Sequence, residues 1–286
     1  MEKTKGILYI ILSASAFGIM PILAKLSYRG GSNTYSTLFL RFLFAAIMLL
    51  YYLKTKGISM KLTKKQAILI IIIGVFGFTL ATSSLYLSYN YISVGMSSMI
   101  FYIYPSIVTI LAYVVYKEKI YSRKTISLII SLMGIYILID KASVSFNIKG
   151  IILALIAAVL YSLYVLGASH KEFKSINSYV LTFYISCASA IVMFIAAKST
   201  NNFNIHISFY ALVAILLIAF ISTVVALMAF LEGVRLIGPS KASILSTIEP
   251  IVSLILGIII LGEPISSRII IGSIMIVLSV VILTKK

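Results

Sequence analysis

Apolar runs of about twenty residues recur along the chain, separated by short polar gaps. A bilayer core needs about 20 apolar residues per crossing helix, so each run reads as a span. The pattern predicts ten, at 6–27, 33–53, 66–89, 92–116, 122–140, 148–170, 177–197, 207–233, 238–262 and 265–284. Breakers fall between them as helix ends require: Gly30-Gly31-Ser32-Asn33, Lys56-Gly57, Asn201-Asn202 and Gly262-Glu263-Pro264. The thinnest boundary, Asn90-Tyr91-Ile92-Ser93, is read as a helix hairpin, because the apolar stretch around it is too long for one span. No gap is long enough to fold as a separate domain.

One run breaks its own pattern. The stretch 238–264 places Glu249 beside Pro250 in the middle of an aliphatic helix. An ionisable group at that depth costs about 2.5–3.5 kcal/mol on insertion scales and usually faces a cavity or a partner. Proline removes a backbone donor and frees carbonyls in the turn before it. At helical spacing Ala242, Ser246, Glu249, Ser253 and Gly257 share one face, small and polar on a branched rod. The run 95–120 has the same design, with Pro105 standing for Pro250 and Glu118 for Glu263.

Composition changes the picture only by closing other routes. The chain is 61% hydrophobic and 11% charged, with a mean hydropathy of +1.13, which fits an integral membrane protein. Its 24 basic residues against 7 acidic ones lie mostly in the gaps, so they read as loops on an anionic leaflet, with no nucleic-acid footprint. With the amino terminus in the cytoplasm, seventeen of them fall inside and six outside, Arg41 lying within a span. Both termini are therefore expected in the cytoplasm, in a multi-pass inner-membrane protein. The first run lacks a convincing cleavage site and is read as a retained helix. Cys187, His170 and His206 stand without metal-ligand or nucleophile–base spacing, and no phosphate-binding glycine loop occurs; no cofactor and no metal are expected.

The two halves match each other. At an offset of 145, Pro105, Glu118, Ser122 and Arg123 meet Pro250, Glu263, Ser267 and Arg268. At 144, Gly6, Asn33, Tyr35 and Phe39 meet Gly150, Asn177, Tyr179 and Phe183. Five spans per unit is odd, so the second copy enters the membrane inverted, an architecture of secondary transporters. The expected fold is all-α, with ten transmembrane helices as two inverted five-helix repeats, 1–144 and 145–286.

Glu249-Pro250 followed by Leu261-Gly262-Glu263-Pro264, with Arg41-Phe42 in the second span and Ala242-Ser243-Ile244-Leu245 before Glu249, resembles the EamA family of the drug/metabolite transporter superfamily. The likeness covers the whole chain but is looser in the first copy, where Tyr104 replaces Glu249 and Lys117-Glu118-Lys119 replaces Gly262-Glu263-Pro264. It implies transport of a small metabolite, amino acids among the candidates, through a central cavity lined by the first, third and fourth helices of each repeat. The expected activity is alternating-access export, with proton coupling, and no enzymatic reaction. A passive channel or lipid-moving protein on the same scaffold is the alternative, and a membrane enzyme would need a second deep carboxylate or a nucleophile–base pair.

Glu249 has three readings: a structural carboxylate paired with Lys241 or freed backbone donors, a group that exchanges a proton for solute, or a holder of a cationic amine. Ser246 and Ser253 are its expected hydrogen-bonding neighbours. Tyr86 and Tyr89 share a face with Thr82 on the third span, Tyr102 and Tyr104 lie on the fourth, and Tyr161 and Tyr164 on the sixth have Phe17 and Met20 as repeat equivalents. Rings that stack and hydroxyls that hydrogen-bond suit an amphipathic solute, and ordinary packing is the plain alternative for each. Pro105 and Pro250 are the expected gating points. Arg41 reads as a cation that snorkels or holds backbone carbonyls, Glu118 and Glu263 as turn residues at the interface, and Glu232 with Arg235 as a pair on one helix face. Ser131 with Gly134, and Gly272 with Ser273, would let outer helices pack closely and form a homodimer. The expected partners are a small-molecule solute and the lipid bilayer.

Overall fold

The computed structural model describes residues 2–116, 122–138, 147–173, 175–239, 242, 245–246, 248–263 and 265–284. Among them there are helices and connections but no strand. The helices are α1 (Glu2–Arg29), α2 (Thr34–Thr55), α3 (Lys64–Ile72), α4 (Leu80–Ser88), α5 (Val94–Phe101), α6 (Tyr104–Tyr116) and α7 (Ser122–Leu138). They continue with α8 (Ile148–Ala168), α9 (Ser178–Ser199), α10 (Phe209–Leu217), α11 (Ala226–Ile237), α12 (Ile248–Leu261) and α13 (Ser267–Thr284). Seven runs among the described residues are long and apolar enough to cross a membrane, and Ile248–Leu261 and Ser267–Ser279 are apolar but shorter.

The caps explain why the helices begin where they do. Asn33 accepts from the Ser36 amide, Asn177 from the Tyr179 amide, and Ser93 and Ser208 from amides three residues on. Thr63 and Gln66 form a reciprocal capping box ahead of α3. Each satisfies a donor that the first turn would leave bare. The matched positions Asn33 and Asn177 thus do the same work in the two halves.

Four of the expected straight spans are interrupted. The run 92–116 breaks at Tyr102-Ile103, and Pro105 sits in the first turn of the new helix, where its missing N–H costs nothing. Pro250 stands likewise in the first turn of α12. The third and eighth runs each carry a π-helical stretch, Ile73–Thr79 between α3 and α4 and Ile218–Val225 between α10 and α11. π stretches are uncommon and tend to mark functional sites.

The packing comes in reciprocal sets. α1 packs on α11 and α12, as α8 packs on α4, α5 and α6; α2 pairs with α9 and α7 with α13. Glycines set the approach. A Cβ on Gly6 would lie 2.6 Å from Ile237 Cγ2, and one on Gly150 would lie 2.9 Å from Ile92 Cγ2 and Tyr91 Cβ. Without a hydrophobic drive between helices in lipid, such close backbone contact is a main source of cohesion. Gly134 packs against Gly272 in the same way, so these small residues join α7 to α13 within one chain.

The connections gather at two ends. At one, Asn33 Nδ2 donates to Asn202 O at 2.7 Å, the Asn204 amide to Ser36 Oγ at 2.8 Å, and Arg29 Nη2 to Leu261 O at 3.3 Å. Glu263 reaches across to accept from the Val94 and Gly95 amides at 2.6 and 3.0 Å. It caps α5, a longer reach than the turn role its sequence position suggests. At the other end Lys65 Nζ meets Glu172 Oε1 at 2.7 Å, and Tyr184 donates to Met60 O at 2.9 Å. Glu118, Lys241 and Pro264 lie outside the described residues, and so does the side chain of Ser131.

Candidate functional site

The centre of the molecule is built on two close crossings. Gly18 lets α12 approach α1 until a Cβ there would meet Val252 Cβ at 2.6 Å, and Ser253 donates to Gly18 O at 3.0 Å. One turn back along α12 stands Glu249, which this contact brings beside Phe17 and Met20. On the other side, Gly77 lets the first π stretch approach the backbone of Tyr164, placing Phe78 at 5.1 Å, ring to ring, from Tyr164.

Between them lies a cavity of about 30 Å³, lined by Phe17, Met20, Arg41, Phe78, Thr82, Phe101, Tyr161 and Glu249, with Ala81 and Leu85. Such a space admits about one water. Glu249 is 8% exposed, and among the described residues no donor lies within hydrogen-bond reach of its carboxyl. Arg41 is fully buried. Its Nε donates to Thr223 Oγ1 at 2.7 Å, and Nη1 to Tyr86 OH at 3.0 Å and Met20 Sδ at 3.1 Å. The guanidinium lies 5.0 Å from the Phe42 ring and 5.6 Å from that of Tyr86, where the ring faces attract a cation. Arg41 therefore neither snorkels nor holds backbone carbonyls; side chains from four helical segments hold it at the cavity wall. No ion pair joins it to Glu249 among the described residues.

The tyrosines form two aromatic groups, with Arg41 between Tyr86 and the Phe42 ring. Tyr104 lies 4.9 Å from Tyr161 and 5.2 Å from Tyr102, Tyr161 lies 5.5 Å from Tyr164, and Tyr86 packs on Tyr89 at 5.4 Å. Of the residues singled out in the sequence, Phe17, Tyr161 and Glu249 line the cavity, and Tyr86 reaches it by holding Arg41. Tyr89, Tyr102, Tyr104 and Tyr164 stand behind, and the hydroxyls of Tyr89 and Tyr164 are buried without partners. Ser253 spends its hydroxyl on Gly18, and Ser246 on Ala242 O at 3.0 Å. Pro105 and Pro250 flank the site as helix starts. Sequence reasoning named Arg41 but not as part of the site, although a cation deep in a span was the available signal; it did not name Thr223, Phe78 or Phe101.

A second, larger space opens at one end. It is a crevice of about 670 Å³ between the end of α8, the start of α9 and the end of α11, and among the described residues it shares no lining residue with the central cavity. His170, Lys171 and Arg235 stand at its rim over an apolar floor that includes Leu181, Leu231 and Val234. Arg235 meets Glu232 at 3.4 Å, as its spacing predicts, and also donates to Ile176 O.

The chain matches the EamA-like transporter family twice, over residues 4–140 and 148–285. It is similar to an uncharacterized transporter of Clostridium kluyveri, 25% identical over 97% of this chain and 92% of that one. It is also similar to the uncharacterized transporter YyaM of Bacillus subtilis, 26% identical over 82% of this chain and 79% of that one. The uncharacterized inner membrane transporter YicL of Salmonella typhimurium is 22% identical over 98% and 95%. A protein crystal structure with 13% identity superposes with a TM-score of 0.74 over 98% of this chain and 97% of its own, a likeness of fold.

Proposed function

Because the chain belongs to the EamA-like transporter family and is a multi-pass membrane transporter, we propose that it moves a small organic solute by alternating access. The proposed architecture is ten spans in two inverted five-helix repeats, 1–144 and 145–286, in the inner membrane with both termini cytoplasmic. The two family matches, the reciprocal packing and the matched π stretches support it. With the basic gaps inside, the crevice faces the cytoplasm, the side from which an exporter loads.

One observation carries the choice of solute: Glu249 and Arg41 line the same small cavity and, among the described residues, do not pair. A buried charge is costly without an opposite partner. A zwitterionic amino acid supplies both partners, an ammonium for Glu249 and a carboxylate for Arg41, and the aromatic wall receives its apolar part. A proton on Glu249 would serve the empty carrier, which is how coupling enters.

The test is Glu249→Gln in proteoliposomes loaded with candidate amino acids. Under proton coupling, transport driven by a pH gradient stops and solute exchange continues. Under amine binding, both fail, and the loss follows the charge of the solute. A variant that folds normally and transports at the wild-type rate at every pH removes Glu249 from the mechanism.

A further inference from the structure

The crevice has the size and lining of a ligand site in its own right. Binding sites run to about 300–1,000 Å³, mostly apolar with a few placed polar groups, and 670 Å³ falls inside that range. Its charges are of one sign. Lys171 and Arg235 reach the rim with His170, and no carboxylate lines the space among the described residues. The two nearby carboxylates are engaged: Glu172 turns away to Lys65 at 2.7 Å, and Glu232 sits beside Arg235 at 3.4 Å. Lys171 has no ion-pair partner among the described residues. Arg235 is held in place by Ile176 O and Glu232, so its guanidinium is positioned before any ligand arrives. Below the rim the walls turn aliphatic with Leu181, Leu231 and Val234.

We propose that this crevice binds an amphipathic anion, a carboxylate or phosphate head on an apolar body, with Lys171 and Arg235 on the head and Leu181, Leu231 and Val234 on the body. An ammonium ligand would meet two cations there, and an uncharged one would leave Lys171 without a counter-charge among the described residues. Two sources offer this chemistry, an anionic lipid whose headgroup enters from the membrane and a soluble organic anion. Either would favour the conformation in which the crevice is open, because it occupies the space that closure must remove. The site is separate from Glu249 and Arg41, so it stands whichever solute the central cavity takes.

The experiment is a thermal-shift titration of the full chain in phosphatidylcholine nanodiscs with phenyl phosphate, phenylacetate or phenethylamine, repeated with phosphatidylglycerol in the disc. The expected result is a rise in Tm of at least about 3 °C with either anion or with phosphatidylglycerol, and none with the amine. The Lys171→Gln, Arg235→Gln double variant should lose the response. Leu231→Trp fills the floor and leaves both charges, so it should lose the response too, which covers the case in which the double variant folds poorly. If phosphatidylglycerol alone raises Tm and removes the effect of phenyl phosphate, the ligand is lipid; if only the soluble anions act, it is a metabolite-like anion. No shift with any anion, an equal shift with the amine, or a shift that survives Leu231→Trp overturns the proposal.

Discussion

Thr34 and Ser178 begin α2 and α9 at matched positions, each just after a capping asparagine, and their surroundings have parted. Thr34 Oγ1 stands 3.0 Å from both Tyr28 OH and Asn90 Nδ2, and Tyr28 also reaches the Tyr86 carbonyl at 3.4 Å. Ser178 is equally buried, but its hydroxyl has no partner. The residues 144 places on from Tyr28 and Asn90 are Glu172, which bonds outward to Lys65, and Val234, which has nothing to donate. One end is therefore sewn shut by side chains and the other gapes by about 670 Å³. The same backbone plan gives a latch or an opening according to a few polar side chains. At the latched end, buried polar groups are satisfied by each other; at the open end, one is left waiting.

The largest expected effect comes from breaking the latch at Glu263. Its carboxylate accepts from two amides of α5, and hydrogen bonds to charged groups contribute about 1.5–3 kcal/mol each. Glu263→Ala should lower stability by about 3 kcal/mol and speed the labelling of a cysteine at position 27 by an impermeant thiol reagent from that side. Unchanged Tm and labelling would mean that the cap does not hold the end closed. Next, Thr34→Val with Asn90→Ala removes two hydrogen bonds at about 1 kcal/mol each. It should shift the population towards the conformer open at that end by about thirtyfold, read by the same cysteine. A sharper version compares matched single changes: Thr34→Ala loses the same two bonds and should cost about 2 kcal/mol, and Ser178→Ala less than about 0.5 kcal/mol, since no bond is lost. Equal costs in chemical denaturation would erase the asymmetry.

The smallest effect belongs to Glu172, on the wall of the open end. The Lys65 ammonium bonded to it holds its carboxyl below the usual carboxylate range, although the side chain is only half-buried. A depressed folded pKa means that the contribution is present above the unfolded carboxylate pKa of about 4 and fades as pH falls through the folded value. Lys65→Gln should return Glu172 towards the ordinary range in an NMR titration and barely change Tm. A titration that does not move would show the pair to be absent in solution.

Much of this was legible in the sequence, and what was not has physical reasons. Span positions follow from apolar run length, and Asn33 and Asn177 are visible because capping is local. Glu249 and Pro250 announce themselves because each is costly in a bare apolar helix. The partners of Arg41 are not visible: Thr223 lies 182 residues away, and nothing on the second span names it. The π stretches at 73–79 and 218–225 have no sequence signature, since an i→i+5 bond uses the same residues as an i→i+4 bond. The reach of Glu263 to α5 was hidden for a related reason. It passes Gly257, where any Cβ would lie 2.8 Å from the carboxylate oxygen, and that clearance exists only once the chain is folded.

The central cavity of about 30 Å³ sets how affinity will look in any assay. It is about a tenth of the smallest ordinary ligand site, so a solute that binds there, as proposed, must wait for, or drive, a wider state. If that state makes up about 1% of molecules, the apparent Kd is about 100-fold weaker than the intrinsic one. A millimolar reading would then conceal a micromolar site, and a substitution that loosens the wall would tighten binding without touching the solute.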